Sequence, residues 1–323
     1  MSSQHPFDIV IIGSGMAGLA AAGVARAARR SLCVLDKGRR IGGRVSTRRA
    51  GGFTFNHGAQ FLTARHPDFI AACDAATTDG ALVPWQVAGR DAFCGTPTMR
   101  DLPTHLGTGH TIRQQVEIST ITHDGGFVTL HDDKGPVAQA RQLLVTAPAP
   151  QTARLLASVA PELATAARGA TYAPCWTGMY GFTDPTMTTI KDPVSVKSGP
   201  VGWACWENRR PDGSDQPGAA LTIQGTPDWS EAELERDADQ IAELLLAAWQ
   251  ETTGTSLPTP DYMAAHRWRF ARVVQPASPD APHHTADGMI GVAGDWVTGA
   301  RIEDAFLSGH RAMTSLLGMR PGT

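Results

Sequence analysis

No C-x-x-C pair occurs in these 323 residues, and the five cysteines, Cys33, Cys73, Cys94, Cys175 and Cys205, form an odd set. That excludes a disulfide framework and gives no metal-site spacing, so all five read as thiols kept reduced by their compartment. Charge of one sign is also missing. The 28 Lys and Arg against 31 Asp and Glu leave a net charge of −3, which argues against a general nucleic-acid-binding surface. The 34 glycines and 22 prolines follow no period, which excludes a repeat array or a collagen-like chain. The apolar start lacks a basic leading region, carries Asp8 and is broken by glycines, so it does not read as a signal peptide, and a cytoplasmic protein is expected. Lysine is scarce: Lys37, Lys134, Lys191 and Lys197 are the full set, and none sits in a recognisable motif. No Ser-His-Asp set and no carboxylate pair stands out. The chain has room for about two domains, and 42% hydrophobic with 18% charged residues is ordinary for a soluble globular protein.

What is present begins at residue 7. Phe7-Asp8-Ile9-Val10-Ile11-Ile12 reads as a buried parallel strand running into Gly13-Ser14-Gly15-Met16-Ala17-Gly18, after which residues 19–28 are small and apolar at helical spacing. Gly13 permits a tight turn, Gly15 lets a pyrophosphate approach the backbone, and Gly18 lets the helix pack on the strand. The helix start, at Met16 and Ala17, then presents free amides to phosphate. A second strand over residues 31–35 ends in Asp36, followed by Lys37. Asp36 lies where the acidic partner of an adenosine ribose belongs.

The basic run that follows contains Gly42-Gly43-Arg44, a segment that a nicotinamide-binding fold does not need. Arg39, Arg40, Arg48 and Arg49 also fit a solvated face or a polyanion patch. Residues 53–61 read as a strand leading to His57-Gly58-Ala59-Gln60-Phe61. Asp36-Lys37, Gly42-Gly43-Arg44 and Gly58-Ala59-Gln60-Phe61-Leu62-Thr63-Ala64-Arg65 together resemble the renalase branch of the flavin amine-oxidase superfamily, its bacterial members especially. The resemblance implies that Gly43 and Arg44 meet the FAD diphosphate and that Gly58, Ala59, Gln60 and Phe61 lie along the isoalloxazine ring. His57 stands where a less polar residue is expected, and reads equally well as structural or functional.

Further along, residues 70–76 read as a helix, residues 82–85 and 91–94 as short strands, and residues 97–106 as a return to the first domain. Val116-Glu117-Ile118 matches the superfamily's strand that touches adenine through its backbone. A hairpin over 119–132 turns at Asp124-Gly125-Gly126. The strand over 142–145 breaks into Thr146-Ala147-Pro148 before a helix over 151–159, and resembles the strand that brings Ala147 beneath the FAD. Stretches 175–182, 202–206 and 219–224 suit strands of an antiparallel sheet. Ser230 with Glu233 reads as a capping box for a helix carrying Leu234, Ala238, Ile241, Leu245 and Ala248.

Period-two geometry in residues 266–272 puts His266, Trp268 and Phe270 on one strand face and Arg267 and Arg269 on the other. The pattern is similar to renalases; on that resemblance His266 and Trp268 orient a nicotinamide and Arg267 or Arg269 meets substrate phosphate. A half-buried strand with satisfied polar groups is the plainer alternative. Near the end, Ile290-Gly291-Val292-Ala293-Gly294-Asp295-Trp296 followed by Arg301-Ile302-Glu303-Asp304-Ala305 resembles the superfamily's third FAD fingerprint. Asp295 would accept from a ribityl hydroxyl, and the helix starting near Arg301, Ile302 and Ala305 would aim its positive dipole at the flavin. Trp296 lines the active site or packs beneath it.

The expected architecture is therefore α/β. A discontinuous Rossmann-like FAD-binding domain (1–65, 97–165 and 284–323) joins an α+β substrate domain on a mainly antiparallel sheet (66–96 and 166–283). The resemblance implies non-covalent FAD and oxidation of 2- and 6-dihydro isomers of NAD(P)H, with O2 yielding hydrogen peroxide. The partners expected are a dihydronicotinamide and O2, with no nucleic acid, membrane or obligate protein partner. An amine oxidase and a non-catalytic redox-sensing flavoprotein are the alternatives.

Overall fold

A computed structural model describes residues 6–124, 126–189, 194–195, 199–211 and 217–318, so Gly125 of the expected turn, Lys191 and Lys197 lie outside the described residues. Two sheets carry most of the core. In the first, β1 (Phe7–Ile12) lies between β2 (Leu32–Asp36) and β10 (Gly135–Val145), parallel to both. β7 (Ile112–Gln114) extends the sheet beyond β2, and β16 (Ile290–Val292) pairs with the end of β10. Antiparallel β9 (Phe127–Asp132) and β8 (Thr120–Asp124) close the far side. Ile9, Val10 and Ile11 are wholly buried, as expected for a central parallel strand covered on both faces.

Helix α1 (Met16–Ala27) lies against α9 (Ile302–Gly318) through small residues: a β-carbon on Gly309 would stand 1.9 Å from the Ala17 carbonyl oxygen. This contact brings the two ends of the chain's pattern, the glycine turn and the last helix, to one side of the sheet.

The second sheet runs β12 (Val194–Ser195), β13 (Val201–Trp206), β14 (Ala219–Gly225), β11 (Thr171–Phe182) and β15 (Tyr262–Gln275), all antiparallel. One face packs Trp176, Tyr180, Trp206 and Ile223 on Ile241, Leu245 and Trp249 of α7 (Ala238–Thr253). The other places Met179 against Phe53 and Phe55 of a small hairpin, β3 (Arg48–Ala50) and β4 (Phe53–Phe55). Between them, α2 (Pro67–Thr78) and the hairpin of β5 (Leu82–Val87) and β6 (Arg90–Gly95) pack beside α3 (Asp101–Gly107). No described helix is long and apolar enough to cross a membrane.

Three expected elements change. The strand expected over 53–61 stops at Phe55, because the Asn56 amide donates to Glu207 Oε1 at 2.9 Å instead of to a neighbouring strand. Val116 lies beyond β7, after Gln115 in a left-handed conformation (φ 59°), although its amide still donates to the Asp36 carbonyl at 2.9 Å. Ser230 does not cap the long helix. Its buried hydroxyl accepts from the Trp176 amide at 3.1 Å, and Asp237 caps α7 by accepting from the Asp239 and Gln240 amides. A long-range acceptor role took Ser230 out of local competition, and Asp is as good a cap.

Candidate functional site

The glycine turn after β1 is built for close approach. Gly13 has φ +106°, and a β-carbon on Gly18 would stand 1.9 Å from the Gly13 carbonyl oxygen, so bulk is excluded where helix meets strand. At Gly15, by contrast, a β-carbon would meet nothing within 4 Å. The backbone is open there, and α1 begins without a side-chain cap, leaving its first amides free for an anion. Asp36 lies across the turn, its carboxylate accepting from the Ser14 amide at 2.5 Å, the Ser14 hydroxyl at 2.7 Å and the Gly38 amide at 2.6 Å. Lys37 is exposed and pairs with Glu117 at 3.6 Å. Met16 and Ala17 are buried, and only their backbone can face a ligand.

The other two fingerprints arrive at the same turn. A β-carbon on Gly43, itself at φ +56°, would lie 3.5 Å from Gly15 Cα. Arg44 donates to both oxygens of Asp295, at 2.6 and 2.7 Å, and to the carbonyls of Phe270 and Ala271. Burial would lower the Arg44 pKa, but the Asp295 carboxylate outweighs it and raises it. This bidentate pair ties together residues 251 positions apart. Arg301 precedes α9, its amide held by Asp304 and its guanidinium by Glu303 and the Thr63 carbonyl. Glu303 also accepts from the Arg65 and His66 amides, both at 2.6 Å, which fastens the start of α9 to the end of the Gly58–Arg65 stretch. Ile302 and Ala305 pack partly buried beside it.

Gly58 is pressed against the second fingerprint, since a β-carbon there would stand 2.1 Å from the Arg44 carbonyl oxygen. Gln60 is buried, and its amide has one possible orientation: Oε1 accepts from Trp203 Nε1 at 3.2 Å and Arg210 Nη2 at 2.5 Å, and Nε2 donates to the carbonyls of Gly58 and Asn56. Arg210 Nη1 donates to the Gln60 carbonyl, and its Nε to Glu207 Oε2 at 2.7 Å. Glu207 accepts further bonds from Asn56 and Thr222. Ala59 and Phe61 complete the stretch, Phe61 with its ring 5.4 Å from that of Trp203. The Glu207–Arg210 pair, 2% and 6% exposed, escaped the sequence reading because Glu-Asn-Arg-Arg after a strand looks like a surface turn. Nothing in its spacing signals burial.

Beside Gln60 stands an aromatic wall. The His57 ring lies 5.1 Å from His266 and 5.3 Å from Trp268, which are 4.4 Å apart, and Trp268 Nε1 donates to the His57 carbonyl at 2.8 Å. His57 Nδ1 is buried without a partner. Burial, then His266, Arg48 and Arg100, push the His57 pKa down to about 3, and burial with Arg48 lowers that of His266. The wall is therefore uncharged at neutral pH.

Three expected site residues are placed elsewhere. The alternation that turns His266 and Trp268 inward turns Arg267 and Arg269 outward, where both pair with Glu235 at 2.9 and 2.7 Å; neither stands beside the wall. Trp296 is 1% exposed in the core under the first sheet, its Nε1 donating to the Ala147 carbonyl, so it packs instead of lining the site. Ala147 itself is buried at the end of the returning segment.

Known proteins share this fold. The chain is similar to a candidate protoporphyrinogen oxidase from Exiguobacterium sp. 255-15 (17% identity, TM-score 0.76, 99% of this chain and 100% of that one). It is also similar to cyclohexylamine oxidase from Brevibacterium oxydans IH-35A (12%, 0.70, 97% and 99%) and to putrescine oxidase (13%, 0.65, 97% and 99%). At these identities the likeness establishes the fold, a Rossmann-like unit joined to an antiparallel sheet. The model of the NAD(P)-binding Rossmann-like domain matches residues 11–76, and that of the flavin containing amine oxidoreductases matches residues 85–317, well over half the chain. The chain belongs to the flavin containing amine oxidoreductase family.

Proposed function

We propose that this protein is a renalase-like, FAD-dependent oxidase that converts 2- and 6-dihydro isomers of NAD(P)H to NAD(P)+. The residues present fit FAD: the open backbone at Gly15 and the free amides of α1 suit the diphosphate, Asp36 suits a ribose, and the Arg44–Asp295 pair would hold a polar chain. Gly43, Gly58, Ala59, Gln60 and Phe61 would line the flavin, Val116 would meet the adenine, and Ala147, Arg301, Ile302 and Ala305 would close the far end. No residue is assigned a covalent bond to it. Bound FAD supplies a two-electron acceptor that O2 reoxidises, with hydrogen peroxide as product.

The observation that carries the reading is the wall of His57, His266 and Trp268, uncharged yet flanked by Arg48. A dihydropyridine becomes aromatic when it gives up hydride and needs no base, so the wall has only to hold a planar ring and keep water from it. An amine is a cation at neutral pH, which Arg48 and Arg100 repel and which a His57 with pKa about 3 cannot deprotonate effectively. The second reading, amine oxidation, draws on the names of the cyclohexylamine and putrescine oxidases of like fold.

The test is anaerobic mixing of the oxidised holoprotein with 2- and 6-dihydro NAD(P)H, ordinary 4-dihydro NAD(P)H, and primary and aromatic amines. Rapid bleaching by the 2- and 6-dihydro isomers, reversed by air with peroxide formed, is expected. Rapid bleaching by an amine with the isomers inert would establish the second reading; bleaching by nothing would indicate a redox-sensing flavoprotein. Acid precipitation should release all the flavin.

A further inference from the structure

The face of the second sheet turned away from α7 carries a polar row. Trp203 of β13 pairs with Gln224 of β14, Gln224 with Thr177 of β11, and Thr177 with His266 of β15. Residues paired directly across strands project on one side. Their neighbours fix that side: Trp176, Tyr180 and Ile223 pack on α7, whereas Met179, two residues from Thr177, packs on Phe53 and Phe55. The row closes on itself through the Gly58 stretch. The His57 ring stands 5.1 Å from that of His266, and the carbonyl of the next residue, Gly58, accepts from Gln224 Nε2 at 2.7 Å. Gln224, Thr177, His266, His57 and Gly58 thus form a closed circuit.

Hydrogen-bonding capacity is left over on this circuit. A carbonyl can only accept, so the Gln224 amide is turned with Nε2 to Gly58, and its Oε1 accepts from no donor among the described residues. Thr177 is wholly buried, yet its Oγ1 has no partner. The hydroxyl acts on the Cys175 thiol, a weak acceptor, but that thiol is turned to the Trp176 and Gly225 carbonyls at 3.4 and 3.7 Å. His57 Nδ1, across His266, is buried and unpartnered too. Buried polar atoms are nearly always paired, because leaving one unpaired costs free energy. A free hydroxyl beside a free amide oxygen, on residues whose β-carbons stand about 4.5–5.5 Å apart, offers one donor and one acceptor. A primary carboxamide presents the complement, an N–H and a carbonyl oxygen on one carbon. A simple amine offers donors only and would leave Thr177 unpaired.

We propose that Gln224 and Thr177 form the subsite for the carboxamide of a dihydronicotinamide whose ring lies on the wall of His57, His266 and Trp268. Gln224 Oε1 accepts from the carboxamide N–H, and the Thr177 hydroxyl donates to its oxygen once the half-buried Gln224 and His266 side chains part above it. The subsite rests on the dihydronicotinamide reading above and adds to it the polar contact that fixes how the ring is turned for hydride transfer.

The test uses two hydride donors, 6-dihydro NAD and its 3-acetyl analogue, in which a methyl group replaces the carboxamide NH2. Each is mixed anaerobically with wild-type, Gln224→Met and Thr177→Val holoproteins at equal FAD occupancy. In Gln224→Met the concentration giving half-maximal bleaching rate should rise on the order of 10-fold for 6-dihydro NAD, and by less than about twofold for the analogue, which has no N–H to lose. Thr177→Val should weaken both donors on the order of 10-fold. Its thermal midpoint should equal or exceed that of the wild type, because the change removes a buried hydroxyl that has no partner.

Equal losses with both donors in Gln224→Met would mean that Gln224 acts only by holding Gly58, and unchanged bleaching in Thr177→Val would leave its hydroxyl without a role; either result overturns the subsite. Failure of the substrate reading looks different. Neither donor would bleach the wild-type protein, while nicotinamide would still bind the oxidised holoprotein more tightly than 3-acetylpyridine in calorimetry, a preference that Gln224→Met removes. Absence of that preference would overturn the subsite as well.

Discussion

The glycine turn after β1 and the Gln60 stretch, which meet through Gly43 and the Arg44 carbonyl, are built in opposite ways. The turn relies on residues that are small: Gly13, Gly15 and Gly18 shape the backbone, and Asp36, 22 residues from Ser14, braces it through amides. The Gln60 stretch is held by large buried polar groups supplied from 150 residues away, Arg210 and its partner Glu207. The first is read from local sequence and leaves no room for a side chain at Gly13 or Gly18. The second needs two desolvated charges to find one another, so it is strong as a pair and fragile when halved.

That contrast predicts its largest effect at Glu207. In Glu207→Ala the Arg210 guanidinium stays buried without a counter-ion, and unfolding stability should fall by about 3–5 kcal/mol in urea titrations. A loss below about 1 kcal/mol would mean that the two regions are not held differently after all. The acids on the cofactor side should act through ligand affinity: Asp36→Ala and Asp295→Ala each weaken FAD binding to apoprotein by about 1.5–3 kcal/mol. Full FAD affinity in both variants would remove these carboxylates from the proposed site.

A smaller effect comes from the wall between the two regions. His57 is held neutral when folded, with a pKa of about 3, whereas the unfolded chain binds a proton at about 6.5. The unfolded state thus binds more protons below pH 6.5, so this residue's contribution is complete above that pH and is lost as pH falls toward 3. Between pH 6.5 and 5 the loss amounts to about 2 kcal/mol. His57→Phe should flatten the stability profile over that interval; an unchanged slope would show that the folded protein protonates His57 normally.

Local pattern carried much of this. The strand, glycine turn and helix of residues 7–28 were legible because apolar run, glycine spacing and helical periodicity all reflect neighbours in sequence. The alternation in β15 was legible too, but its consequence was misjudged: period two assigns residues to faces without saying which face meets the site, and Glu235 lies on the side of Arg267 and Arg269. Ser230 failed as a cap for the same kind of reason, since a capping box is a local signal and the Trp176 amide is a distant competitor.

The amino-acid sequence alone therefore determined the nucleotide-binding unit, the family fingerprints and the antiparallel character of the second sheet, all of which depend on spacing within a few tens of residues. Tertiary structure alone decided that Arg44 grips Asp295, that Glu207 and Arg210 lock Gln60, and that His57 joins His266 and Trp268 as an uncharged wall. These contacts join residues 150 to 251 positions apart, and a side chain's charge state and partner are set by what folding brings within a few ångströms of it.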